Sequence, residues 1–253
     1  MRLMSPTEIF IELACCPRRG WVMRDMPEPE DTYSHSLEMK QLVHELARKL
    51  PYKVDVALAQ ELCMAHDLTD YCKTDITPAD GVAAKDKVAH EKLGIRFMMA
   101  TVSDRAVADQ MAHLWRMALI NKCPEARLVY QLDRLQMGVK TLAYEQVTGH
   151  NMEDMWRGTK ERQHDTALLD YYHYLYAQRP KGISAEPQHL LRKISAEEEQ
   201  AAKEASKARL TTERIVAIQA ERAEAFAQYP YVTGVKAAAQ SYLWRTRLGA
   251  LTY

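Results

Sequence analysis

"LCMAHDLTDYCKTDITPAD", residues 62–80, sets a histidine beside an aspartate at the end of an apolar stretch. Leu58, Ala59, Leu62, Cys63 and His66 recur at intervals of three and four from Asp55, so they share one face of a helix. Pro78 and Gly81 bound a loop after it. An imidazole and a carboxylate taken inside together are costly unless something is paired with them. The reading of the whole chain turns on what His66 and Asp67 hold.

Helical spacing continues on both sides. Ser5, Pro6 and Glu8 in "SPTEIFIELACC" form a capping box with proline at the first helical position. "CPRRGWVMRDMPEPEDTY", broken by Pro17, Gly20, Pro27 and Pro29, reads as a loop. His35, Met39, Leu42, Val43, Leu46 and Leu50 then place His35 on an inward stripe. Further helices are expected over 84–101, from Asp104 through Ala118, and from Pro124, where Ala126, Val129, Tyr130, Asp133 and Met137 face inward. No strand-like alternation stands out, so the expected class is all-α. The composition changes near residue 150. Residues 1–150 read as one helical bundle of five or six helices, and 151–253 as a helical C-terminal extension that packs or oligomerises. Its "SAEEEQAAKEASKARL" has little but alanine to bury, and reads as a solvated helix face.

Composition bounds the function. Lys plus Arg equals Asp plus Glu at 34 each, so no global charge argues for a nucleic-acid or membrane partner. The five cysteines form no C-x-x-C pair, which disfavours a disulfide framework or zinc knuckle and points to a reducing compartment, the cytoplasm. No apolar run is long enough to span a bilayer.

Three inward polar positions therefore need a reason: His35, the His66–Asp67 pair and Asp133, each from a separate helix. Bundled, they bring two imidazoles and two carboxylates to one interior spot, the way helical bundles build metal sites. One divalent ion would offset the burial of both carboxylates, and nitrogen and oxygen donors suit Co, Mn, Ni, Fe, Zn or Mg. Asp70 follows His66 by four residues, so one helical turn is expected to point it back toward the ion, where a carboxylate can handle a water proton.

The pattern H…HD…D resembles the HD-domain metal-dependent phosphohydrolases, and within them the branch of HD domain-containing protein 2 and the bacterial 5′-deoxynucleotidases. "PRRGWVMRDMPEPEDTYSHS", "HDLTDYCKTDITPAD", "KDKVAHEK" and "PEARLVYQLDRLQM" carry the resemblance, which runs from about residue 10 to 148. It implies an HD-domain bundle, a homodimer that the C-terminal extension would cap or build into a larger assembly, and removal of the 5′-phosphate from 2′-deoxynucleoside 5′-monophosphates. His35, His66, Asp67 and Asp133 would be the metal ligands. Arg18 would orient the phosphate, with Arg19 its rival in register. Asp75 and Thr77 would line the sugar side, and Trp21 would stack on the base, wall it off, or serve as a core residue of its loop. Asp70 stands where the family has glutamate, and Thr74 where it has glycine.

Two other functions fit the same residues. A deoxynucleoside triphosphate hydrolase would need further cations, for which Lys73, Lys85 and Lys87 are candidates. A catalytically weak scaffold would act as an interaction module through residues 151–253. His90 and His113, lying between the pair and Asp133, also permit a second metal by order alone.

Overall fold

The computed structural model describes residues 3–72, 76–77, 80–185 and 194–228. Among them there are helices and two isolated β-bridges but no strand, as the spacing predicts. None of these helices is long and apolar enough to cross a membrane.

Helix α1 (Pro6–Ala14) starts with the expected box: the Ser5 hydroxyl accepts from Glu8 N at 3.2 Å, and the Glu8 carboxylate accepts from Ser5 N at 2.7 Å. The segment expected as loop contains one helical turn, α2 (Arg19–Val22). Its ends are pinned, with Arg18 N donating to Glu30 O at 2.7 Å and Thr32 N to Cys16 O at 2.9 Å. Helices α3 (Thr32–Leu46), α4 (Val56–Ala65), α5 (Ala84–Thr101), α6 (Arg105–Ile120) and α7 (Pro124–Thr148) follow. Asp31, Asp55 and Asp104 cap α3, α4 and α6 through side-chain oxygens, satisfying amides that the first turn leaves unpaired.

Two large apolar cores result. One joins α3, α4 and α7 through Met39, Leu46, Leu62, Leu128 and Leu132. The other joins α1, α5 and α6 through Phe10, Leu13, Met98, Met111 and Trp115. Trp156 from α8 (Glu153–Glu161) and Leu168 and Tyr172 from α9 (Thr166–Ala177) belong to the first core. The boundary expected at 150 therefore does not coincide with a break in packing. Gly149, at φ 69°, ends α7 in the left-handed conformation glycine tolerates, and the chain turns back. At Gly138 the two helices come close: a Cβ there would lie 3.0 Å from Thr159 Cγ2.

A buried ion pair ties this return. The Arg179 guanidinium donates to both oxygens of the fully buried Glu145, each at 2.8 Å, and to Glu153 at 2.6 Å. Helices α10 (Ala196–Ala208) and α11 (Thr212–Gln228) then dock on the bundle. Ile218 enters the second core, and Arg214 donates to Asp31 Oδ2 at 2.5 Å and Ser34 Oγ at 2.6 Å. Arg19 on α2 pairs with Glu199 on α10 at 3.3 Å.

Candidate metal centre

His35 comes from the first turns of α3, His66 from the residue capping the end of α4, and Asp133 from the middle of α7. One donor atom from each lies within 4.8 Å of the others. His35 Nε2 is 3.4 Å from Asp133 Oδ1, and the two imidazole centroids are 5.4 Å apart. Asp67 adjoins this group through His66, its Oδ2 lying 3.1 Å from His66 Nε2. Arg18 Nη1 donates to that same oxygen at 2.8 Å, and Arg18 Nη2 is 3.9 Å from Asp133 Oδ1.

The ring orientations are fixed from behind. Gln136, one turn beyond Asp133 on α7, gives its amide N–H groups to Glu30 at 2.6 Å and Glu38 at 2.8 Å. That leaves its carbonyl oxygen to accept from His35 Nδ1. His66 Nδ1 donates to the Cys63 carbonyl at 2.7 Å. Both Nδ1 atoms thus carry the proton, and both Nε2 atoms are buried without a hydrogen bond. Two ring nitrogens facing a carboxylate fit a cation, which would displace a proton held between them: donors each about 2.1 Å from one ion are at most about 4.2 Å apart, a small adjustment from the spacing seen. Replacing Gln136 with methionine keeps the volume and removes both functions of the amide. Metal affinity is expected to fall by about 10- to 100-fold, the range for lost outer partners of a ligand histidine; titration with a competing chelator measures it.

Electrostatics bind the group together. Burial alone would lower the His66 pKa and raise those of the carboxylates. The Asp67 and Asp133 charges outweigh burial and push His66 up to about 9. His66 and Arg18 in turn hold Asp67 well below the usual carboxylate range. For Asp133 the adjacent His35 ring and the Arg134 charge do the same. A bound cation would take over the role of that imidazolium proton.

The centre opens into a cleft of about 730 Å³, lined by Arg18, Trp21, Asp67, Thr77 and Asp133 among others. Of the rival arginines, Arg18 faces the cluster. Arg19, about 100° further round at the start of α2, pairs with Asp80 and Glu199 over a neighbouring cavity of about 390 Å³. Trp21 is 1% exposed, rests on Tyr144 at 4.9 Å between centroids, and shares a small core with Met26 and Met152. Its ring is a wall of the cleft and not an open stacking face. The Thr77 hydroxyl donates to Asp80 Oδ2 at 2.8 Å, so Asp80 links Thr77 to Arg19. Asp75, and with it Lys73 and Thr74, lies outside the described residues.

Asp70 lines the 390 Å³ cavity with Arg19, Glu199 and Lys203, and is not among the residues lining the cleft. The expectation that one helical turn returns it to the ion assumes that α4 continues. It ends at Ala65 instead, and Leu68–Tyr71 form a tighter 3-10 turn with a different angular spacing.

Among the described residues His90 and His113 do not join the cluster. Burial, and then the Arg116 charge, lowers the His113 pKa from 6.5. A histidine depressed in the folded state adds nothing above the unfolded pKa, and stability is lost as pH falls below it. His113→Gln is expected to flatten the decline in urea-unfolding stability between pH 6.5 and 5.

Sequence reasoning missed Gln136, Glu30 and Glu38, Lys140, which pairs with Glu30 at 3.4 Å and Glu38 at 2.8 Å, and Arg134, Arg157 and Arg162 on the cleft lining. The spacing of Gln136 three residues after Asp133 was a readable signal, and Glu30 lies inside the quoted loop.

The geometry defines a helical bundle with a candidate metal centre. The HD domain family matches residues 12–169, more than half of the chain, and the chain belongs to that family. It is a hydrolase of the HD phosphohydrolase type. It is 27% identical over 180 residues to the 5′-deoxynucleotidase HDDC2 of Danio rerio, covering 69% of this chain and 86% of the relative. With the Homo sapiens protein of the same name it shares 22% over 176 residues, covering 69% and 84%. Among solved structures it is similar to the PH0347 protein from Pyrococcus horikoshii OT3, with TM-score 0.56, 24% identity and coverage of 68% and 97%. A predicted metal-dependent phosphohydrolase from Magnetospirillum magnetotacticum MS-1 matches with TM-score 0.54, 18% identity and coverage of 67% and 86%. These structures share its fold.

Proposed function

We propose that this protein removes the 5′-phosphate of 2′-deoxynucleoside 5′-monophosphates with one divalent cation held by His35, His66, Asp67 and Asp133. The supporting observation is the pair of buried, unbonded Nε2 atoms facing Asp133, with Arg18 across the two carboxylates. When bound, a divalent cation polarises phosphoryl oxygens and eases the ionisation of water. The chain's own part is to place the phosphate. Arg18 offers a planar fork matching two phosphate oxygens, held beside the metal ligands by Asp67. Trp21 and Thr77 bound the space for sugar and base. Gln136 and the Cys63 carbonyl keep both imidazoles in the tautomer that presents Nε2 inward.

The test is phosphate release from a panel of dNMPs, NMPs and dNTPs with Co, Mn, Mg, Ni and Zn. Release from dNMPs in preference to NMPs supports the reading. Triphosphate released from dNTPs, with dNMPs untouched, would move the function to a triphosphate hydrolase; Lys87 on the cleft lining favours that second reading.

A further inference from the structure

The cleft carries more positive charge than a single phosphate needs. Its lining holds six Arg and Lys side chains against four carboxylates. A divalent ion raises that surplus of two to four, and one phosphate brings roughly 1.5 to 2 negative charges at neutral pH. The excess is not spread evenly. Arg18 is tied to Asp67 and Arg24 to Asp154, whereas Arg134, Arg157 and Arg162 form no ion pair with a described carboxylate.

The cleft gathers those three. Tyr130 and Arg134 are four apart on α7, one turn along the face that also carries Asp133. Gly158 and Arg162, the residue capping the end of α8, are likewise four apart, and Arg157 lines the same cleft beside Gly158. The Arg162 guanidinium lies over the Tyr130 ring, 3.9 Å from its centroid. That contact fixes the plane and leaves its N–H edge without a side-chain hydrogen bond among the described residues. A Cβ on Gly158 would meet nothing within 4 Å, so the cleft stays open at this wall.

We propose that Arg134, Arg157 and Arg162 form a second anion subsite, which takes a further phosphate of the substrate while the first sits at the metal centre. The preferred substrates are then deoxynucleotides with two phosphates, the second either on the 3′ position or as a β-phosphate. This rests on the phosphohydrolase reading for what occupies the metal centre.

The test is equilibrium binding of dAMP, deoxyadenosine 3′,5′-bisphosphate and dADP to the full chain with its divalent ion present, read before measurable phosphate release. The second phosphate is expected to tighten binding by about tenfold, equivalent to about 1.4 kcal/mol. The Arg157→Gln/Arg162→Gln protein is expected to lose that gain, and Arg134→Gln part of it. Which of the two bisphosphates gains more assigns the position of the second group. Equal affinity for dAMP and both bisphosphates, or a gain untouched in the double variant, overturns the subsite. Phosphate release from dAMP by the wild type, measured alongside, separates the two readings. Release without a binding gain removes the subsite alone; a gain without release removes the nucleotidase and leaves the subsite.

Discussion

Asp133→Ala is expected to cut kcat/KM for dNMP hydrolysis by a hundredfold to about a thousandfold, the scale of a lost electrostatic group at the reacting centre. The loss should come with depleted metal in the purified protein. His35 Nε2 and His66 Nε2 would still face each other, but without the carboxylate that lies 3.4 Å from the first. Neutral imidazoles alone hold a divalent ion weakly, and Arg18 would add repulsion once one of its two acidic neighbours is gone. The fold should survive, because the Asp133 carboxylate is 23% exposed and lies at the floor of a cleft. Elemental analysis and a thermal melt, taken with the rate assay, decide the point. A variant that keeps stoichiometric metal and wild-type turnover would remove Asp133 from the ligand set.

The largest effect on stability is expected at Arg179. Its guanidinium is 10% exposed and forks onto both oxygens of Glu145, which is 0% exposed. Truncation to alanine leaves that carboxylate with the Met152 amide, at 2.9 Å, as its remaining donor among the described residues. Breaking a buried pair from one side costs about 3–5 kcal/mol. For a chain of this size that corresponds to a Tm roughly 10 °C lower. Pairing Arg179→Met with Glu145→Met should recover most of the loss, since no uncompensated charge then stays inside. A single variant that unfolds within about 1 kcal/mol of wild type in urea would mean α9 is not anchored this way.

Local signals on the chain were reliable where local physics decides. The Ser5–Glu8 box, Asp55, Asp104 and Pro124 mark helix starts because caps and first-turn prolines act within one turn. His35, His66 and Asp133 could be read as converging because each sits on an apolar stripe. The end of the core could not be read that way. The segment carrying Trp156 and Tyr172 looks compositionally unlike the first 150 residues, and its burial against α7 depends on contacts across the fold. Asp70 illustrates a second limit. Where a helix stops by one turn decides which cavity a side chain lines, and boundaries are the least legible part of a sequence. Gln136 illustrates a third. A polar residue on a buried face looks like a mismatch until the imidazole and carboxylates that satisfy it are in place.

The contact of Arg214 with Asp31 bears on how the protein is made. Domains emerge from the ribosome N-terminal part first, and the residues at 35, 66 and 133 are all synthesised before position 214. Asp31 can cap α3 on its own through the Ser34 amide, at 2.8 Å. The metal-binding geometry can therefore mature on the nascent chain, and α11 closes over that cap only once position 214 has been made.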